Sequence, residues 1–196
     1  MTRKVPVYLV FGPQGSGKST QAQLLADHLK LPFFDSGEQL RSIAHGDGEL
    51  SENIRAIMLE GRLVSNELLR RIFQNYLSAH NWENGLVIDG FPRTLEQAKL
   101  LEELTKQFGW ELAVIYVDIS DETAKRRLQL RHTVVNGQKV QREDDQPSIV
   151  AKRLAVFKQE TLPVITWLSK NHRYYHVDGE PDRQAIFKEI TSHLNG

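Results

Sequence analysis

An apolar run, Val5–Phe11, leads directly into Gly12-Pro13-Gln14-Gly15-Ser16-Gly17-Lys18-Ser19, and a helix-patterned stretch over 19–30 follows. Strand, glycine-rich loop and helix in that order confine the chain to α/β folds built on a parallel sheet. The loop has the spacing G-x-x-x-x-G-K-[ST], in which glycines let the backbone curl until its N–H groups converge on phosphate oxygens. A helix that starts there adds free N–H groups and a positive dipole end. Lys18 supplies a point charge for the outer phosphates, and the Ser19 hydroxyl a ligand for Mg²⁺.

Apolar, strand-like runs recur at 86–88, 112–117 and 174–177, with 33–34 as a fifth, shorter candidate. Helical patterns occupy 19–30, 37–45, 50–59, 66–80, 95–108, 121–131, 147–170 and 182–194. Asp121 is expected to cap the sixth of these and Ser65 the fourth. The alternation predicts a five-stranded parallel sheet covered on both faces, with its ligands at the carboxyl ends of the strands. Two segments interrupt the alternation. Between Ser36 and Asn66 lie two short helices without a strand, and after Arg131 comes a pair of short β-branched runs about Asn136-Gly137. An Asn-Gly pair in that setting signals a hairpin. Arg126, Arg127, Arg131, Arg142 and Arg153 flank it, which suits a hinged cover over phosphates better than a plain surface ribbon.

Charge and composition remove other classes. Lys and Arg number 25, Asp and Glu also 25, so the basic excess of a nucleic-acid-binding domain is missing. No apolar run approaches 18 residues, so a membrane partner is not expected. Cysteine is absent, which excludes a disulfide scaffold and a thiolate zinc site. The seven histidines lack helical i,i+4 pairing and are expected to be surface or partly buried, His172 and His176 sharing one face of a strand. With no export signal visible, a cytoplasmic location is expected.

Three further constellations carry chemistry. Asp89 ends the apolar run 86–88, where a carboxylate near the loop can hold Mg²⁺ through water. Arg93, stiffened by Pro92, and Arg41, on the helix after Asp35-Ser36-Gly37-Glu38, could grip a second phosphate. Gln97 lies one turn beyond Arg93, and its amide can donate and accept at once, as the edge of adenine requires.

These motifs, in this order and over essentially the whole chain, resemble the adenylate kinases of the nucleoside-monophosphate kinase family. The segments 35–41, 61–68, 89–94, 142–145, 152–154 and 177–179 carry the likeness, Asp89-Gly90-Phe91-Pro92-Arg93-Thr94 most specifically. Thr94 is similar to the enzymes that accept AMP. Ser65-Asn66 stands where Thr-Asp is commoner, and Glu38 where aspartate is. The resemblance implies one P-loop kinase domain over 1–196, a helical acceptor insert over 36–65 and a short hairpin lid over 132–142. It implies ATP + AMP ⇌ 2 ADP with Mg²⁺ and no zinc, run by a monomer. ATP would be held by Gly12, Gly15, Ser16, Gly17, Lys18, Ser19, Thr20, Arg127 and Arg131, and AMP by Ser36, Gly37, Arg41, Val64, Gly90, Arg93, Gln97, Arg142 and Arg153. Lys18, Arg93, Arg131, Arg142 and Arg153 would act on the transferred group, with Ser19 and Asp89 toward the metal. A UMP or CMP kinase and a nucleotide-binding switch without transfer are the alternatives; the Asn-Lys-x-Asp run of a GTPase does not occur.

Overall fold

The computed structural model describes residues 4–130, 132–135, 138–141 and 146–194. Five parallel strands form the sheet: β1 (Val5–Phe11), β2 (Phe33–Asp35), β3 (Leu86–Asp89), β4 (Trp110–Asp118) and β7 (Arg173–Asp178), in the spatial order β2-β3-β1-β4-β7. The chain leaves β1 first toward one edge and later returns to build the other. The carboxyl end of β1, where Gly12 begins the loop, is therefore where strand order reverses and a crevice opens. All five strands were legible as apolar runs. β4 extends past its run because Trp110 pairs with Val5 and Glu111 with Pro6.

Period-two alternation along β1 divides the core. Val7, Leu9 and Phe11 face Phe73 of α4 (Asn66–Ala79), Leu101 of α5 (Leu95–Phe108) and Val164 of α8 (Leu162–Leu168). Val10 faces the opposite way, toward Ala22 and Leu25 of α1 (Lys18–Leu29) and Ile186 and Ile190 of α9 (Arg183–Leu194). Burying both faces is why the inner strands β1, β3 and β4 read as apolar runs.

Two short helices, α2 (Ser36–Ala44) and α3 (Glu49–Leu59), fill the segment between β2 and α4, without a strand. Ser65 caps α4 by accepting from Leu68 N at 3.2 Å, as expected. Asp121 does not cap α6 (Asp121–Gln129). Ser120 does so, accepting from Thr123 N at 3.1 Å, and Asp121 opens the first turn, where its charge suits the helix dipole. The helix expected over 147–170 is divided into α7 (Pro147–Val156), a π-turn (Phe157–Thr161) and α8. Pro163 lacks an N–H and crowds the preceding turn, and widening to an i→i−5 bond, Leu162 N to Phe157 O, accommodates it. His172 does not share a strand face with His176. β7 starts one residue later, and His172 Nε2 meets Glu102 of α5 instead. β5 (His132–Val135) and β6 (Gln138–Gln141) pair antiparallel with His132 opposite Gln141. The Asn136-Gly137 turn between them lies outside the described residues.

Candidate functional site

The loop after β1 is built from backbone. Gly15 takes φ +87°, and a Cβ there would lie 2.7 Å from the carbonyl oxygen of Ala124, so both conformation and space require glycine. Ser16 is fully buried; its N–H donates to Pro13 O at 3.2 Å and its Oγ accepts from Lys18 N at 3.3 Å. Gly17 stands at the N-cap of α1 and offers no side-chain oxygen, so the first turn keeps N–H groups for an anion. Lys18 Nζ bends back to within 3.5 Å of Pro13 O, across the mouth of the loop.

A second structure faces it, made of side chains from three elements. Asp35, at the end of β2, caps α2 by accepting from Gly37 N at 2.8 Å and Glu38 N at 3.1 Å. That cap starts the helix at Ser36, whose Oγ donates to Gly90 O at 2.7 Å. Gly90 has φ +76°, and a Cβ there would meet Ser36 Oγ and lie 2.7 Å from Arg93 Nη2. The turn thus curls back so that Arg93 Nε donates to the same Gly90 carbonyl, at 2.7 Å. Arg41 lies close by, 3.6 Å from Asp35 and 2.9 Å from Glu38. Burial lowers the Arg93 pKa; Asp89 and Asp35 raise it, and repulsion from Arg41 lowers it again.

One cleft gathers Gly12, Lys18 and Ser19 with Ser36, Gly37, Arg41, Val64, Asp89, Gly90, Arg93, Gln97 and Arg153. Gly15, Ser16, Gly17 and Thr20 belong to the loop and the helix start beside it. Arg127 is not on the cleft. Its guanidinium donates to Gly179 O at 2.8 Å and Glu180 O at 2.9 Å, fastening the turn after β7. Arg131 and Arg142 lie outside the described residues. Gln97 is 2 % exposed and already engaged: Oε1 accepts from Arg93 N at 2.8 Å and Nε2 donates to Asn66 Oδ1 at 2.8 Å. Sequence reasoning missed Asn66 in this role, and also Phe157 and Thr161, which line the cleft from the π-turn. Thr161 Oγ1 donates to Arg93 O at 3.2 Å. Only the Pro163 signal hinted that the helix is irregular there.

Known proteins resemble the chain over most of its length. The model of the family described as "Adenylate kinase" matches residues 10–173. The chain belongs to the adenylate kinase family. The adenylate kinase of Thermosipho africanus is 32% identical over 202 residues, 91% of this chain and 94% of the relative. That of Cyanothece sp. strain PCC 7425 is 34% identical over 192 residues, 96% of each chain, and that of Rickettsia africae 30% over 207. The protein is accordingly a nucleoside-monophosphate kinase, a phosphotransferase, and these likenesses do not favour the switch-module alternative. Among the described residues no helix is long and apolar enough to cross a membrane.

Within this adenylate kinase fold, Asp89 is a buried acid beside the loop. It is 2 % exposed, and its Oδ1 has no hydrogen-bond partner among the described residues. Burial pushes its carboxyl above the ordinary range. Lys18, a hydrogen bond with Ser19 and Arg93 pull it down, while the charge of Asp35 adds to the rise. Among the described residues no cluster of three or more His, Cys, Asp or Glu could hold a metal by itself. An orphaned carboxylate oxygen beside a serine hydroxyl does fit a hydrated divalent cation that arrives with a nucleotide.

Proposed function

We propose that the chain transfers the terminal phosphoryl group of ATP to an oxygen of the AMP phosphate, and back. The bond from the γ-phosphorus to the bridging oxygen breaks as the bond to AMP forms, leaving two ADP. The observation that supports this reading is that one cleft brings together the loop with Lys18 and, apart from it, the Arg41–Arg93 pair, which suits two separate phosphate stations. A nucleotide-binding switch has use for only the first.

In this reading Gly12, Gly15, Ser16, Gly17, Ser19 and Thr20 hold the ATP phosphates, and Arg127 shapes the turn against which its base lies. Ser36, Gly37, Val64 and Gly90 line the acceptor pocket of the insert over 36–65, and Gln97 reads the base. Gln97 keeps one N–H and one oxygen lone pair beyond its internal bonds, the complement of the adenine edge. Lys18, Arg93 and Arg153 stabilise charge on the group in flight. Arg131 and Arg142, at the two ends of the hairpin in the chain, join them when the hairpin over 132–142 covers the cleft and excludes water. Ser19 and, through water, Asp89 would hold Mg²⁺, which supplies charge neutralisation on the ATP phosphates. One chain carries both stations, so the monomer suffices, and a cytoplasmic setting with MgATP is consistent with it.

The test is ADP formation from ATP with each nucleoside monophosphate in turn. AMP is expected to give the highest kcat/KM. A higher value with UMP or CMP would replace the acceptor, and ATP turnover without any acceptor preference would refute the second station.

A further inference from the structure

The acceptor station contains a chain of hydrogen bonds whose direction is forced from both ends. At one end stands the backbone N–H of Arg93, which can only donate, so the Gln97 atom 2.8 Å away must be oxygen. Gln97 therefore turns its NH₂ to Asn66, whose Oδ1 accepts it at 2.8 Å and also accepts from Thr94 Oγ1 at 3.1 Å. At the other end stands the carboxylate of Glu96, an acceptor, which takes Asn66 Nδ2 at 2.6 Å. Reversing Gln97 would set two donors against each other at the Arg93 end, and reversing Asn66 would set two acceptors against each other at the Glu96 end. Glu96 and Asn66 sit outside the cleft lining, and their bonds reinforce the Gln97 orientation that Arg93 N–H requires.

That orientation has a chemical consequence. Adenine presents an acceptor at N1 beside a donor, the 6-amino group. Hypoxanthine and guanine present the reverse, an N1–H donor beside the O6 acceptor. An amide free to rotate can serve both patterns, and one held in a single orientation serves one.

We propose that Asn66, held by Glu96, is a positioning residue that locks the Gln97 amide in the orientation selecting a 6-amino purine monophosphate over a 6-oxo purine monophosphate. The proposal rests on the reading of Gln97 as the base-contacting group. AMP and IMP are the decisive pair, since they match in size and phosphate and differ in this edge alone.

The experiment measures kcat/KM for AMP and for IMP, with ATP as donor, in the wild type and four variants. Asn66→Leu is expected to lower the AMP:IMP ratio about tenfold, through the KM for AMP, with the KM for ATP unmoved. Asn66→Asp keeps both acceptor contacts but sets an oxygen against Glu96 in place of the NH₂, so it should retain more of the ratio than Asn66→Leu and less than the wild type. Glu96→Ala changes an exposed side chain, so it tests the relay even if Asn66→Leu folds poorly; a fall of about threefold is expected. Gln97→Leu should abolish the discrimination. If Gln97→Leu abolishes it while the Asn66 and Glu96 variants preserve it, the relay is refuted and Arg93 N–H alone orients the amide. If Gln97→Leu leaves the ratio intact, the base-reading role itself fails.

Discussion

The two phosphate stations proposed for the cleft are made in opposite ways. Residues 12–19 form the donor station from consecutive backbone, with its shape held by bonds such as Ser16 N to Pro13 O. The acceptor station around Arg93 joins Ser36, Asn66 and Thr161 to the turn at 90–97 through bonds spanning 28 to 68 positions of sequence. A backbone cradle binds phosphate whatever nucleoside is attached. A side-chain assembly can hold phosphate with one member and read a base with another. In the proposed reading, discrimination between nucleotides therefore belongs to the assembled station, and generic affinity to the local one.

The largest expected effect comes from the local station. Lys18→Met should reduce kcat by about 10³-fold or more, because the lost charge acts on the group being transferred. The fold and melting temperature should barely change, since the cradle is backbone. Near-normal turnover in the folded variant would break the assignment. Next in size, Arg93→Ala should raise the KM for AMP about ten- to a hundredfold, about 1.5–3 kcal/mol, and that for ATP much less. An equal rise in both would mean the stations are not separate. Smaller again, Ser36→Ala should raise the KM for AMP about fivefold, near 1 kcal/mol, by releasing Gly90 O and loosening the Arg93 turn. A variant indistinguishable from wild type would show that the turn holds itself.

The smallest effect concerns the turn fastened by Arg127. Glu180 is held below its ordinary value of 4.5, chiefly because Ser120 N–H donates to it, with Thr123 and Arg127 contributing. A depressed carboxylate stabilises the fold fully above its unfolded value, and that contribution is lost as pH falls through the lower folded value. Glu180→Gln should therefore lower the melting temperature slightly at neutral pH and converge on the wild type in acid, which flattens the acid side of the profile. An unchanged acid slope would show that Glu180 does not help Arg127 to fasten the turn.

The sequence by itself determined what depends on neighbours in the chain. The inner strands were legible because both of their faces are covered, so whole runs such as Val5–Phe11 are apolar. The glycine loop was legible because its conformation is set within eight consecutive residues. The Ser65 cap was legible for the same reason, and the Asp121 cap was misplaced by one position because Ser120 and Asp121 are both good cap residues. Arg41, Arg93 and Gln97 could be named as chemical types at meaningful spacings. Which way Gln97 turns could not be read, since Asn66, 31 positions away, receives its amide.

Only the tertiary structure decided that Arg127 fastens the 179–181 turn, that Thr161 holds the Arg93 carbonyl from a π-turn, and that Asp89 keeps an orphaned oxygen. The physical reason is common to all three. Backbone conformation responds to local sterics, which the sequence carries residue by residue. The orientation of a buried polar group is set by whichever donors and acceptors the packed elements bring against it, and those come from far along the chain.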